Sequence, residues 1–132
     1  MYVKTGPNEK GWGTELVFTS NDLYCAKVLI FKPESKTSMH FHKQRDKTFF
    51  VSAGQFTVMY IDTDSGNVVQ SDLKDGDVIR MAPMTPHQIK ANVAGSLLEV
   101  GNALKETDIF RLSPGDTQAI KTADQQDQKN SD

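Results

Sequence analysis

The sequence predicts an all-β fold, one sandwich or barrel of short strands. Three observations carry that prediction. Short runs rich in β-branched, aromatic and aliphatic residues recur from about Glu15 to Gly101. Compact turn signals built from Gly, Asp, Asn, Ser and Pro separate them at regular spacing. No segment sustains a helical apolar period beyond about one turn. The length of 132 residues fits one domain, and 37% hydrophobic with 24% charged residues is an ordinary globular composition.

Along the chain, residues 1–13 hold three Gly and one Pro and are expected to form an N-terminal arm or irregular lead-in. Trp12, the only tryptophan, lies between Gly11 and Gly13 and is expected to anchor that arm. The barrel is expected over 14–115, with strands at 15–19, 23–31, 37–43, 47–52, 55–61, 67–73, 77–81, 87–92 and 96–101. Ser52-Ala53-Gly54, the turn at 62–67 and Lys74-Asp75-Gly76-Asp77 read as hairpin connections, and Pro83 to Pro86 as a rigid turn. Asp62 and Asp64 lack the later ligands of a calcium loop and read as a solvated turn. Residues 116–132 are polar and cannot order themselves alone, so a mobile tail is expected there unless it packs on a partner subunit.

The formal net charge is −2, and Lys and Arg are scattered without a basic stripe, so neither nucleic acid nor a membrane surface is expected as partner. The longest apolar stretch, Ala26 to Phe31, is interrupted by Lys27 and too short to span a bilayer. The first residues lack the apolar stretch of a secretory signal, which predicts a cytoplasmic protein. Cys25 is the single cysteine, within an apolar run, and reads as a small core hydrophobe rather than a nucleophile.

The three histidines form two motifs. In a strand, His40 and His42 project to the same face, while Phe41 faces away. His87 follows the rigid turn and opens the next strand. If these strands are neighbours, His40, His42 and His87 supply three imidazoles to one divalent transition metal, zinc, manganese, iron or nickel.

These motifs resemble those of the cupin superfamily. The first reads His40-Phe-His42 through Lys47 to Gly54, and the second Gly76 through Pro83-Met-Thr-Pro-His87 to Asn92, with Met84 where Gly is usual. The resemblance implies a jelly-roll β-barrel, the cupin double-stranded β-helix. Trp12-Gly13, Lys27-Val-Leu-Ile-Phe-Lys-Pro, Leu98-Glu-Val-Gly and Glu106-Thr-Asp-Ile-Phe-Arg111-Leu narrow it toward the cupin domain of type II phosphomannose isomerases. By that resemblance, Lys27 and Arg111 are candidates for phosphate contact.

One position departs from the pattern. The metal-binding Glu of the superfamily maps onto Lys47, and a protonated amine cannot ligate a cation. The sequence leaves three outcomes open: three histidines hold the metal with water or substrate in the remaining positions, Asp46 replaces the Glu through a bulge, or the metal is lost and a polar pocket remains with Lys47 as an anion contact. If Lys47 points inward, it supplies a positive charge or an acid–base group, with Phe49 and Val51 beside it on an apolar wall. Lys27 and Arg80, in otherwise apolar strands, must each reach solvent or meet an anion.

Three functions compete: a metal-dependent enzyme with Lys47 as catalytic group, sugar-phosphate isomerisation leading; a non-catalytic module binding a sugar or small acid; and a three-histidine iron dioxygenase. Each takes a small polar substrate, anionic in the leading reading. Met39 and Phe41 would project from the far side of the metal strand, a face that a second subunit or a second sheet would bury, and a homodimer is the family expectation.

Overall fold

The computed structural model describes residues 6–119. Eleven strands succeed one another: β1 (Pro7–Lys10), β2 (Gly13–Ser20), β3 (Tyr24–Phe31), β4 (Met39–Phe41), β5 (Lys47–Ala53), β6 (Gln55–Ile61), β7 (Val68–Lys74), β8 (Val78–Met81), β9 (His87–Ala91), β10 (Gly95–Asn102) and β11 (Phe110–Ser113). They form two antiparallel sheets. The six-stranded sheet runs β1-β2-β3-β10-β5-β8, and the five-stranded sheet runs β11-β4-β9-β6-β7. Among the described residues, no helix is long and apolar enough to cross a membrane.

The core lies between the sheets and follows the period-two alternation of the strands. In β5, Lys47, Phe49 and Val51 point inward and are buried, while Phe50 is exposed. In β6, Phe56 and Val58 take the inner face. Trp12 stacks on Phe31 with ring centroids 4.4 Å apart, and Phe31 meets Phe56 edge-on at 5.3 Å. Cys25 is buried and unpaired in disulfide terms, as a small hydrophobe would be.

Two elements differ from the sequence expectation. The lead-in is not irregular throughout, because Pro7–Lys10 pairs with β2 from Pro7↔Leu16 to Lys10↔Gly13. Pro7, Asn8 and Glu9 are exposed and Lys10 is half-buried, so no hydrophobic alternation marks the strand. β11 was not expected as a strand either. It is an edge strand exposed along its whole length, paired only with β4. Of the expected tail, Asp116 and Thr117 are tied down: the Lys36 amide donates to the Asp116 carboxylate, and the Gly11 amide donates to Thr117 Oγ1. Residues 120–132 lie outside the described residues.

The rigid turn before β9 holds the site together. Met84 adopts φ 68°, a left-handed conformation that costs a side-chain-bearing residue roughly 1 kcal/mol. There its amide donates to the His42 carbonyl at 2.6 Å, which fastens the turn bearing His87 to the segment bearing His42. Glycine, usual at this position in the superfamily motif, would adopt that conformation without strain.

Candidate metal centre and anion pocket

β4 and β9 pair at His40↔His87, so these side chains leave the sheet on the same face. His42 follows two residues after His40 and shares that face. The three rings lie with centroids 5.2, 4.8 and 6.2 Å apart for the pairs 40–42, 40–87 and 42–87. One ring nitrogen from each lies within 4.8 Å of the other two.

Backbone carbonyls set the tautomers. His40 Nδ1 donates to the Ser38 carbonyl at 3.0 Å, His87 Nδ1 to the Thr85 carbonyl at 2.9 Å, and His42 Nδ1 to the Asp108 carbonyl. A carbonyl only accepts, so each Nδ1 carries the hydrogen and each Nε2 keeps its lone pair. His87 Nε2 is buried with no partner among the described residues. Burial first, and the Lys47 charge second, hold His40 down to about 3 and His42 to about 4, and push His87 well below its ordinary value. All three are neutral near pH 7. Three neutral imidazoles, fixed by their second nitrogens and turned to one place, fit a zinc-, iron-, manganese- or nickel-type ion.

Lys47 points into this space. Its Nζ donates to His42 Nε2 at 3.3 Å, lies 3.5 Å from Glu99 Oε1 and sits 5.1 Å from the Phe49 ring centroid. Lys47 is 5% exposed. Burial lowers its pKa, and Glu99 opposes that shift. Asp46 does not replace the absent Glu. It faces outward and holds Arg80 through two hydrogen bonds of 3.0 and 2.7 Å, because alternation along the chain sends 46 and 47 to opposite sides. That pairing also answers the sequence question for Arg80, which meets an anion at the surface.

Beneath Lys47 lies a buried ionic cluster centred on Glu99. The carboxylate of Glu99 meets Arg45 at 3.0 Å, Lys47 at 3.5 Å and Lys27 at 3.9 Å, and Lys27 also meets Glu15 at 3.3 Å. Burial alone would raise the Glu99 pKa. The charges of Lys47, Lys27 and Arg45 outweigh it and hold the group at about 2. Arg45 is buried and also donates to the carbonyls of Asn102 and Cys25. Gly101 leaves the room for it: a Cβ there would lie 2.8 Å from an Arg45 nitrogen and 2.4 Å from the Asp46 carbonyl oxygen.

These groups open onto a cavity of about 670 Å³, lined by the three histidines, Lys47, Phe49 and the Glu99 cluster. The cavity wall carries six cationic side chains, Lys10, Lys27, Arg45, Lys47, Lys105 and Arg111, against the carboxylates Glu15, Glu99 and Glu106. In a chain of net charge −2, the cavity is therefore locally positive. Arg111 is the register partner of His40 and projects to the cavity with it. Among the described residues, no carboxylate lies within ion-pair distance of Arg111. Lys27 lines the cavity too, but its charge is shared between two carboxylates.

Three residues of the site were missed in the sequence. Glu99 and Lys27 are register partners in neighbouring strands, each the charged member of an apolar run, and that coincidence was the available signal for the buried pair. Arg45 and Asp108 lie outside the strands. The Asp108 carboxylate accepts from the amides of Lys43, Gln44 and Arg45 while its carbonyl holds His42, and no local pattern announces a contact across that separation.

A cupin domain is matched over residues 27–101, more than half of the chain and inclusive of all three histidines and Lys47. The chain belongs to the cupin family. No curated protein sequence matches it. Among solved structures, this cupin is similar to oxalate decarboxylase from Bacillus subtilis, with a TM-score of 0.74 at 20% identity, covering 83% of this chain and 30% of that one. It is also similar to CapF, a capsular polysaccharide assembling protein of Staphylococcus aureus, with a TM-score of 0.75 at 16% identity, covering 86% of this chain and 33% of that one. The chain thus spans about a third of the length of these proteins, and at such identities the likeness is one of fold. The jelly-roll class follows from the two sheets and the family together.

Proposed function

We propose that this cupin binds one divalent transition-metal ion on His40, His42 and His87 and acts on a small anionic substrate held against it, as a sugar-phosphate isomerase-like enzyme. One observation carries the reading. Three imidazoles, each fixed by a backbone carbonyl at Nδ1, turn their free nitrogens toward one another at the wall of a positively lined cavity. When bound, the metal supplies Lewis acidity toward a carbonyl and its neighbouring hydroxyl.

The chain's own residues do the rest. Lys47 faces the cavity; as the neutral amine, which burial favours, it takes the proton from one carbon, and as the ammonium, held by Glu99, it returns that proton to the adjacent carbon. Arg111 balances the charge of a phosphate, and Lys27 adds to the positive field from deeper in the wall. Phe49 packs an apolar surface beside the reacting carbons and excludes water from them. Two neighbours support the reading by analogy. The Bacillus oxalate decarboxylase has Mn(II) centres, and CapF serves polysaccharide assembly. The finer likeness to type II phosphomannose isomerases rests on the sequence motifs alone. A cytoplasmic location belongs to this reading, since sugar phosphates are intracellular metabolites.

The test is proton exchange in heavy water. Metal-loaded protein incubated with aldose and ketose phosphates is expected to exchange the C2 proton, read by NMR, and Lys47→Met and His87→Ala are expected to abolish exchange. A second reading, a non-catalytic binding module, has its own support: both deep carboxylates, Glu99 and Glu15, are committed to ion pairs. Binding of a sugar phosphate without exchange selects it.

A further inference from the structure

At the candidate centre the chain itself occupies one of the inward ring nitrogens. Lys47 Nζ donates to His42 Nε2 at 3.3 Å. His87 Nε2 is buried with no partner among the described residues, so protein atoms satisfy the cluster only in part. The His42 ring is not free to turn aside, because its Nδ1 is tied to the Asp108 carbonyl. A divalent ion on all three imidazoles therefore requires Lys47, not His42, to move.

Within the chain, Lys47 has no equivalent partner to move to. It is buried, and its other polar partner among the described residues is Glu99 at 3.5 Å. That carboxylate already meets Arg45 at 3.0 Å and Lys27 at 3.9 Å. An N–H withdrawn from His42 is left without its acceptor, and a charged amine beside a divalent ion is repelled by it. The open direction is the cavity, which Lys47 lines together with His40, His42 and His87. An anionic oxygen placed there accepts from Lys47 and balances its charge.

We infer, on the reading that the three imidazoles hold a divalent ion, that Lys47 couples metal binding to the binding of a small anion with two adjacent oxygens. A deprotonated hydroxyl beside a carbonyl belongs to this class. Both events need the same movement, the departure of Lys47 from His42. Whichever ligand arrives first brings that movement about, and the second then binds more tightly. The coupling is reciprocal by linkage. In the metal-free protein Lys47 is held on His42, so the amine assigned to proton transfer is released only when the ion is in place.

Glycolate is the probe, since it carries a hydroxyl beside a carboxylate. Zinc affinity is measured at fixed pH by competition with a chromophoric chelator, with and without millimolar glycolate, free zinc being corrected for its glycolate complex. In the wild type, glycolate is expected to raise zinc affinity at least tenfold. Lys47→Met is expected to bind zinc more tightly than the wild type in glycolate-free buffer, and to show an enhancement by glycolate at least fivefold smaller. Equal enhancement in the two proteins means that the anion acts on the ion alone and overturns the coupling. A wild type that binds zinc without enhancement overturns it too, while leaving the metal centre in place. A wild type that binds no zinc in either buffer removes the centre and the coupling together. If Lys47→Met fails to fold, the ¹⁵N resonance of His42 Nε2 in the metal-free wild type decides. Glycolate is expected to shift it as Lys47 withdraws, and an unmoved resonance overturns the coupling.

Discussion

Lys47 Nζ stands 3.3 Å from His42 Nε2 and 3.5 Å from Glu99 Oε1, so one buried amine is shared between a ring nitrogen of the three-histidine cluster and a carboxylate. A metal ion at the three imidazoles needs the His42 lone pair. Lys47 must then give up that hydrogen bond, and Glu99 is the partner that remains for it. The site is thus a three-imidazole centre with an internal competitor where the superfamily motif has a ligand.

Replacing the competitor by the ligand is the sharpest perturbation. Lys47→Glu removes a repulsive charge and adds an oxygen donor. Affinity for zinc or manganese, measured by calorimetry, is expected to rise at least tenfold, about 1.4 kcal/mol. Equal or weaker binding would show that Lys47 does not oppose the metal.

The Glu99 cluster is expected to be a stability element as well as a site element. Glu99→Gln leaves Lys27, Arg45 and Lys47 buried without their shared carboxylate. Breaking a buried ion pair by removing one partner costs about 3–5 kcal/mol. Urea unfolding should show a loss of that order, and a loss below about 1 kcal/mol would mean that the cluster relaxes into solvent.

Met84 offers the opposite sign. Its φ of 68° is unfavourable for a residue bearing Cβ, and its side chain is half exposed, so little packing is lost on truncation. Met84→Gly is expected to stabilise the fold by roughly 0.5–1 kcal/mol in the same unfolding assay. Destabilisation would show that the Met side chain contributes more than the strain costs.

Acid should weaken the metal-free protein. His40 and His87 are buried in neutral form, with pKa values far below the ordinary 6.5 that they regain on unfolding. The unfolded chain therefore takes up protons first, and stability falls as pH drops from about 6.5 toward the folded value, about 3 for His40. Glu99 has the same sign, its contribution being lost between 4.5 and about 2. His42, held at about 4, adds a loss of the same sign. Between pH 7.5 and 5.5 the unfolding free energy should fall by roughly 1 kcal/mol for each of the three histidines. A flat profile over that interval would contradict their burial as neutral rings.

Legibility in the sequence followed the range of the interactions. Inward and outward faces in β5 were readable, because alternation is local, and so was the shared face of His40 and His42. The pairing that brings His87 to His40 was reached only through the resemblance, since strand order is a long-range property. β1 and β11 escaped notice for one reason: both are exposed edge strands whose composition carries no buried face. Glu99 escaped because a buried charge is recognisable only once its counter-charges are located in other strands, and Asp108 because it works through backbone amides and its own carbonyl.

Elemental analysis of the purified protein, before and after reloading with zinc, manganese, iron and nickel, tests the centre most directly. The expected result is close to one divalent transition-metal ion per chain, lost when His40, His42 and His87 are replaced together by alanine in a protein that still folds. A wild-type chain that takes up none of these ions, or a triple variant that keeps its metal, would contradict the assignment of the three imidazoles.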